Sequence, residues 1–190
     1  MIEPTRIYPY LNALKEGKTI LFPTGSTIGL GCDFKNQEAF NILRSLNNQK
    51  IPPSHWLVVS SVEMLRRYVD DLHPRIETLL VYHRRPLRVI YKANLQMVPE
   101  HLLGNNRSID ISLSHHHFCR QLVSELGRPL VVINANTHNN NAPIRFSEIP
   151  SEIKNQSFHE NIEELDVVRD NKLAVVASFN QDGEINIIRD

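Results

Sequence analysis

Cysteine is nearly missing. Cys32 and Cys119 are the only two in 190 residues, too few for a disulfide scaffold, and their separation fits no zinc spacing such as C-x-x-C. Both read as reduced, buried thiols of a cytoplasmic protein. An excess of one charge is missing too, since Lys plus Arg and Asp plus Glu each total 21. That balance excludes a protein held on nucleic acid by bulk positive charge and leaves only a local patch for such a role. No apolar run approaches the roughly 18 residues of a membrane span, and the first ten residues carry no signal-peptide segment, so a membrane partner is not expected. What is present, 41% hydrophobic and 22% charged residues, rules out wholesale disorder and predicts one globular domain over 1–190.

Ile7, Tyr10, Leu11 and Leu14 recur at helical spacing ahead of Gly17, which predicts an opening amphipathic helix. A short strand is expected over 19–22, ended by Pro23, with 25–31 read as a glycine-containing turn and a helix resuming at Ala39, Phe40, Leu43 and Leu46. Further strands are predicted over 56–60, 87–91, 109–113, 129–133, 166–168, 173–177 and 184–188, with helices over 62–69, 75–82 and 115–126. Asp182-Gly183 marks a hairpin turn between the last two strands. This alternation describes an α/β domain with an antiparallel component, and the polar run 137–141 reads as a loop inside it.

Several familiar motifs fail. Gly17-Lys18-Thr19 lacks the first glycine of a phosphate loop, because Asn12 stands there, and Gly29-x-Gly31 is followed by Phe34 where a dinucleotide fingerprint needs a third glycine. His115, His116 and His117 point about 100° apart on a helix and cannot converge on one metal, so no metal site is expected. With Ser114 as a candidate N-cap, they read as an exposed first turn. No Ser/His/Asp or Cys/His set has a nucleophile-elbow context.

Two stretches carry chemistry. Arg84, Arg85, Arg88 and Lys92, with His83 and Tyr91 interleaved, form ten residues without an acid. Strand alternation puts Arg88, Ile90 and Lys92 on one face, a candidate RNA-binding stripe whose plainer alternative is a strand edge protected by charge. The second stretch is 22–33, FPTGSTIGLGCD, where the hydroxyls of Thr24, Ser26 and Thr27 on a glycine-permitted turn can donate to a phosphate or carboxylate. An ordinary Ser/Thr/Gly turn is its plainer reading.

With its surroundings this second stretch resembles the P-T-[DE]-T-x-[YW]-G-[LI]-x-x-D signature of the YrdC-like domains, the threonylcarbamoyl-AMP synthase family. Leu14-Lys15-Glu16-Gly17, Arg85-Pro86-Leu87, Arg128-Pro129-Leu130 and Asn134-Ala135-Asn136 follow in the family's order over 7–190. The resemblance implies a twisted mixed α/β sheet with helices around a large concave pocket. In active relatives that pocket takes ATP, threonine and bicarbonate, makes threonylcarbamoyl-adenylate for tRNA modification and releases pyrophosphate. Such chemistry is mostly positioning plus stabilisation of spreading negative charge by Lys, Arg and Mg²⁺.

Carried over one position at a time, the family's cations are missing. Its K-x-R lands on Asn47 and Gln49, or in a register one residue later on Asn48 and Lys50; the arginine of its G-x-R-x-P strand lands on Ser112. Gly25 stands for the acid of the first motif, Ser26 for its second threonine and Ile28 for its aromatic, while Thr24, Gly29 and Leu30 are kept. The S-x-S-A-N strand end becomes Val132-Ile133-Asn134-Ala135-Asn136, the late Ser/Thr pair falls near Ala174 and Val175, and Arg88 replaces a threonine. The resemblance therefore implies a paralogue with a neutral pocket lined by Thr24, Ser26, Thr27, Asn47, Gln49, Ser112, Asn134 and Asn136. Its ligand would be a small polar molecule or nucleotide, with RNA as a second partner and no required cofactor. The competing expectation is an active synthase with relocated cations, using ATP and Mg²⁺.

Overall fold

The structure is a computed structural model and describes residues 4–47, 55–83, 85–136, 142–160, 174–179 and 183–189. Helix α1 (Pro4–Lys15) buries Ile7, Tyr10, Leu11 and Leu14, the stripe its spacing predicts, and Gly17 follows it at φ +79°. The Tyr10 ring meets Phe118 edge-on at 4.9 Å and Phe158 at 5.1 Å. Its hydroxyl donates to the Glu160 carbonyl at 2.9 Å, so a large buried ring keeps a partner for its polar tip.

Strands β1 (Ile20–Pro23), β2 (Ile28–Asp33), β3 (Trp56–Val59), β4 (Leu87–Lys92), β5 (Ser108–Leu113), β6 (Leu130–Asn134), β7 (Val175–Phe179) and β8 (Ile185–Arg189) form one twisted mixed sheet in the order β1-β2-β6-β3-β5-β4-β7-β8. The pairs β3/β5 and β4/β7 are parallel and the other neighbours antiparallel. Helices α2 (Gln37–Asn47), α3 (Val62–Tyr68), α4 (Pro74–Tyr82), α5 (His117–Leu126) and α6 (Ser151–Gln156) complete the described elements. One face of the sheet, carrying Leu30, Cys32, Leu57, Ile111, Val89, Val131 and Ile133, is buried throughout. On the other face, Ser112, Asp110 and Ile90 remain partly open.

Two expectations are corrected. The stretch 25–31 is not all turn: only 24–27 turns, and β2 then runs antiparallel to β1 with Phe22 opposite Gly29 and Ile20 opposite Gly31. The glycines serve close approach. A Cβ on Gly31 would stand 2.7 Å from Phe22 Cε1, and one on Gly29 would stand 2.7 Å from Thr24 Cγ2 and 2.8 Å from Val132 Cγ1. Second, Ser114 does not cap α5: it is buried, its amide donates to the Val59 carbonyl, and His116 is the N-cap. The β7/β8 pairing agrees with the hairpin signal at Gly183, whereas the strand expected over 166–168 and the loop at 137–141 lie outside the described residues.

The β1 edge is closed by the segment after α6. Leu21 N–H donates to the Phe158 carbonyl and Phe158 N–H to that of Thr19. No helix among the described residues is long and apolar enough to cross a membrane. Cys32 and Cys119 are free and buried, as expected.

Replacing Gly31 by alanine forces Phe22 off its position, and denaturant unfolding should show a loss of about 1–3 kcal/mol. Burial also sets an alkaline limit. It pushes the Cys119 thiol and the Tyr10 phenol each up to about 12 and raises Cys32 and Tyr91 as well. The folded state then holds protons that the unfolded chain releases from about pH 8.5 (thiols) and about pH 10 (phenols). Stability is therefore complete at neutral pH and falls as pH rises through that range. Thermal melts from pH 7 to 11 should show this, and Cys32→Ala/Cys119→Ala should remove the part of the fall that begins below pH 10.

Candidate functional site

The 24–27 turn is held from within. Thr24 N–H and Thr24 Oγ1 both donate to the Thr27 carbonyl, at 3.0 and 2.9 Å, and Gly25 takes φ +105°, a conformation open to glycine at no steric cost. Thr27 Oγ1 reaches Asn134 Oδ1 at 3.5 Å, across the pairing of β2 with β6. Ser26, Thr27 and Asn136 are buried, and Ala135 N–H donates to the Ile28 carbonyl, which ties the end of β6 to the start of β2. Five of the residues singled out from sequence, Thr24, Ser26, Thr27, Asn134 and Asn136, thus belong to one corner of the sheet, a set of hydroxyls and amides without a charge of their own.

The corner has a neighbour that sequence reasoning misplaced. His116 is not on an exposed turn: it is half-buried, and a Cβ on Gly25 would stand 3.5 Å from its Cβ. The α5 N-terminus therefore abuts the turn at Gly25. At the far end of the motif, Asp33 accepts from Arg128 Nε at 2.7 Å and from Lys35 N–H at 3.0 Å. The hydrogen bond with Asp33 holds the Arg128 guanidinium above its ordinary range. This acid of the motif is structural, anchoring the exit of β2 to the chain before β6.

Ser112 stands apart. It lies level with Val58 and, through β3, with Leu130, four residues along β6 from Asn134 or roughly 13 Å down the strands. Asn47 ends α2, and Gln49 lies outside the described residues, so neither side chain is placed.

The basic stripe is corrected. Arg88 is on the face that alternation predicts, yet it is buried, at 4% exposure, instead of forming an open surface with Lys92. Its guanidinium carbon sits 4.2 Å from the centroid of the Trp56 ring, and its Nε donates to Asp110 Oδ1 and Oδ2 at 3.2 and 3.0 Å while Nη2 donates to Oδ2. The physical reason is register. Ile90 faces Asp110 and Arg88 faces Ser112, so the arginine needs only to lean one pleat to find a carboxylate. Lys92 is exposed, Arg85 is half-buried, and Arg84 lies outside the described residues. Among the described residues no three His, Cys, Asp or Glu side chains group as a metal site.

A family model described as telomere recombination, covering Sua5, YciO and YrdC, matches residues 12–189. The chain belongs to the Sua5/YciO/YrdC family. It is 27% identical over 158 residues to a threonylcarbamoyl-AMP synthase of Pseudoalteromonas translucida, covering 82% of this chain and 84% of that protein. It is 31% identical over 129 residues to one from Yersinia enterocolitica, covering 66% and 67%. The fold matches E. coli YciO at TM-score 0.76 and 17% identity over 96% of this chain and 87% of that one. It also matches the structure of a doubly substituted variant of P. abyssi Sua5 at TM-score 0.82 and 17% identity, where 99% of this chain covers 57% of the larger one. In this Sua5/YciO/YrdC protein, then, the corner at the start of β2 is lined by hydroxyls and amides, while the buried guanidinium on the same sheet face is that of Arg88 of β4.

Removing one member of the Arg88–Asp110 pair leaves the other as a largely buried, uncompensated charge. Arg88→Met should destabilise by about 3–5 kcal/mol in denaturant unfolding, and Arg88→Met/Asp110→Leu should recover most of that loss.

Proposed function

We propose that this Sua5/YciO/YrdC-family protein binds a small polar ligand of the nucleotide class at the Thr24–Asn136 corner of the sheet and does not carry out ordinary threonylcarbamoyl-adenylate synthesis. The observation that carries the reading is electrostatic: the buried guanidinium on the site face is already neutralised by Asp110, while Thr24, Ser26, Thr27, Asn134 and Asn136 offer only neutral donors and acceptors. A pocket of hydroxyls and amides suits a base, a ribose or one phosphate. Removing one preorganised donor to a developing oxyanion costs about 10²- to 10³-fold in rate. By the family resemblance the K-x-R lysine is replaced in either register and the G-x-R-x-P arginine by Ser112, with Lys50 in the K-x-R arginine's place in the later register, and such losses are not simply additive. Ligand binding by relatives supports the binding half of the reading: another P. abyssi Sua5 structure is a complex with L-threonine, and a HypF structure of similar fold is in a phosphate- and nucleotide-bound form.

A second reading, an active synthase with a relocated cation, has one observation in its favour. Arg88 is the cross-strand neighbour of Ser112, the position where the family carries an arginine. Its weakness is the same carboxylate that neutralises Arg88. RNA binding through 84–92 loses its central residue to that pair and is not favoured. The whole chain, 1–190, is read as a single domain.

The deciding experiment supplies ATP, L-threonine, bicarbonate and Mg²⁺ and follows pyrophosphate release, with AMP and ATP titrated by calorimetry. No turnover, with AMP bound at least as tightly as ATP, is the expected result. Turnover at the rate of an authentic threonylcarbamoyl-AMP synthase assayed alongside would replace this reading by the second one.

A further inference from the structure

The two edges of the sheet differ. The segment around Phe158 closes the β1 side, whereas the outer edge of β8 has no strand against it among the described residues. One register row shows what that leaves open. Leu57, Ile111, Val89 and Ala177 follow one another across four strands on the covered face, none more than 1% exposed, yet the next residue in the row, Ile187, is 60% exposed. Ile185 and Ile188 are exposed as well, Ile188 as the extra residue of a bulge between the pairs Ala177–Ile187 and Val176–Arg189. Helix α4 runs along the same edge. His73, its N-cap, lies against Gly183 just before β8, and its other end leads into Leu87 of β4, so the exposed Val81 and Tyr82 stand where β8 finishes. Five of the nine exposed large apolar residues among those described are therefore gathered at one edge, which marks it as a contact surface.

An open strand edge is a template for another strand, and β8 carries neither the lysine nor the proline that blunts such edges. Its bulge lies beyond Ile187 and leaves 185–187 regular. What fits the edge is the same strand. Antiparallel pairing about a two-fold axis at Asn186 sets Ile185 opposite Ile187 of the partner subunit and Ile187 opposite Ile185 of the partner subunit, two apolar pairs on the covered side. Asn186, which pairs with Ser178 on the partly open side, meets Asn186 of the partner subunit, and an amide holding both donor and acceptor complements its own copy. A two-fold at Ile187 would set Ile185 against Arg189, so the apolar match selects the first register. Charge agrees with it. Antiparallel alignment brings the Glu184 end of one strand to the Arg189 end of the other, and with 21 cations against 21 anions no net charge opposes the approach.

We propose that this protein forms a weak two-fold dimer by antiparallel pairing of β8 with β8 of a second copy. The axis stands perpendicular to the sheet, so the partly open faces of both copies end on the same side of one continuous sheet. The Thr24–Asn136 corner, at the opposite edge, stays clear of the contact. Five apolar side chains a copy are few beside the roughly 20–30 residues of a standard interface, which puts the dissociation constant at about 1–100 µM.

Sedimentation velocity from about 1 to 500 µM should show a reversible monomer–dimer equilibrium. Ile187→Lys should abolish the dimer while the melting curve and circular dichroism, taken where the unmodified protein is monomeric, stay unchanged. Asn186→Cys tests the register. Directly opposed antiparallel residues have Cα atoms about 4.5–5.5 Å apart, within disulfide reach, so this variant should give a covalent dimer on mild oxidation. Glu184→Cys, whose two copies would lie roughly 14 Å apart along the strands, should not. The native Cys32 and Cys119 are buried and should leave the unmodified protein uncrosslinked. A single monomeric species at every concentration, a dimer that survives Ile187→Lys, or cross-linking of Glu184→Cys equal to that of Asn186→Cys would each overturn the proposal; the first would assign the β8 edge to a different chain.

Discussion

A guanidinium cannot be taken out of water without a counter-charge, and that constraint organises the centre of this sheet. Arg88 is buried against Trp56, and Asp110, on the neighbouring strand, supplies the compensation. The pair joins β4 to β5, and the stack joins both to β3, so three central strands share one electrostatic fixture. Its energetic contribution to folding is modest by nature, since a well-packed apolar trio of the same volume would serve as well. Its effect on chemistry is larger. The most buried cation on the face is committed to a carboxylate of the chain, and a polyanion approaching it gains only what Asp110 leaves over.

The corner at the start of β2 is built by a different constraint, close approach of backbones. Gly29 and Gly31 let Thr24, Val132 and the Phe22 ring lie against the strand at distances no side chain would permit. That closeness draws the 24–27 turn over β6 and brings Thr27 to Asn134. Gly25 serves differently, through its φ of +105°, with His116 at ordinary contact distance beside the turn. Asp33 then pins the far end of the hairpin through Arg128. The motif is therefore one device: its glycines admit neighbours, its hydroxyls line the corner, and its last acid holds the strand in register.

How much of this was legible before the structure depends on the range of the interaction. The α1 stripe, most of the strands and helices, and the final hairpin follow from periodicities and turn residues a few positions apart, and those features agree, whereas β2 does not. Alternation also put Arg88 on the correct face. What it could not show was Asp110, 22 residues away and adjacent only through the register of β4 on β5. Gly29 and Gly31 read as a turn because glycine lowers strand propensity; their role appears only when Phe22 and Val132 are seen against them. His116 sat in a polar triplet that looked solvated, and its neighbour Gly25 is 91 residues away. The family resemblance supplied the fold and the aligned positions, but not which replacement restored or cancelled a charge.

The two parts of the face bear on each other through solvation. Bringing a triphosphate to this surface removes water from several charges at once, a cost that only cations or well-placed donors can offset. Among the described residues, the corner offers hydroxyls and amides and the centre offers a guanidinium with its charge already spoken for. A ligand with one charge and several polar groups loses less water and can be matched almost group by group. Neutral lining at one end and a compensated guanidinium at the other are therefore the same statement about charge, made twice along one sheet face.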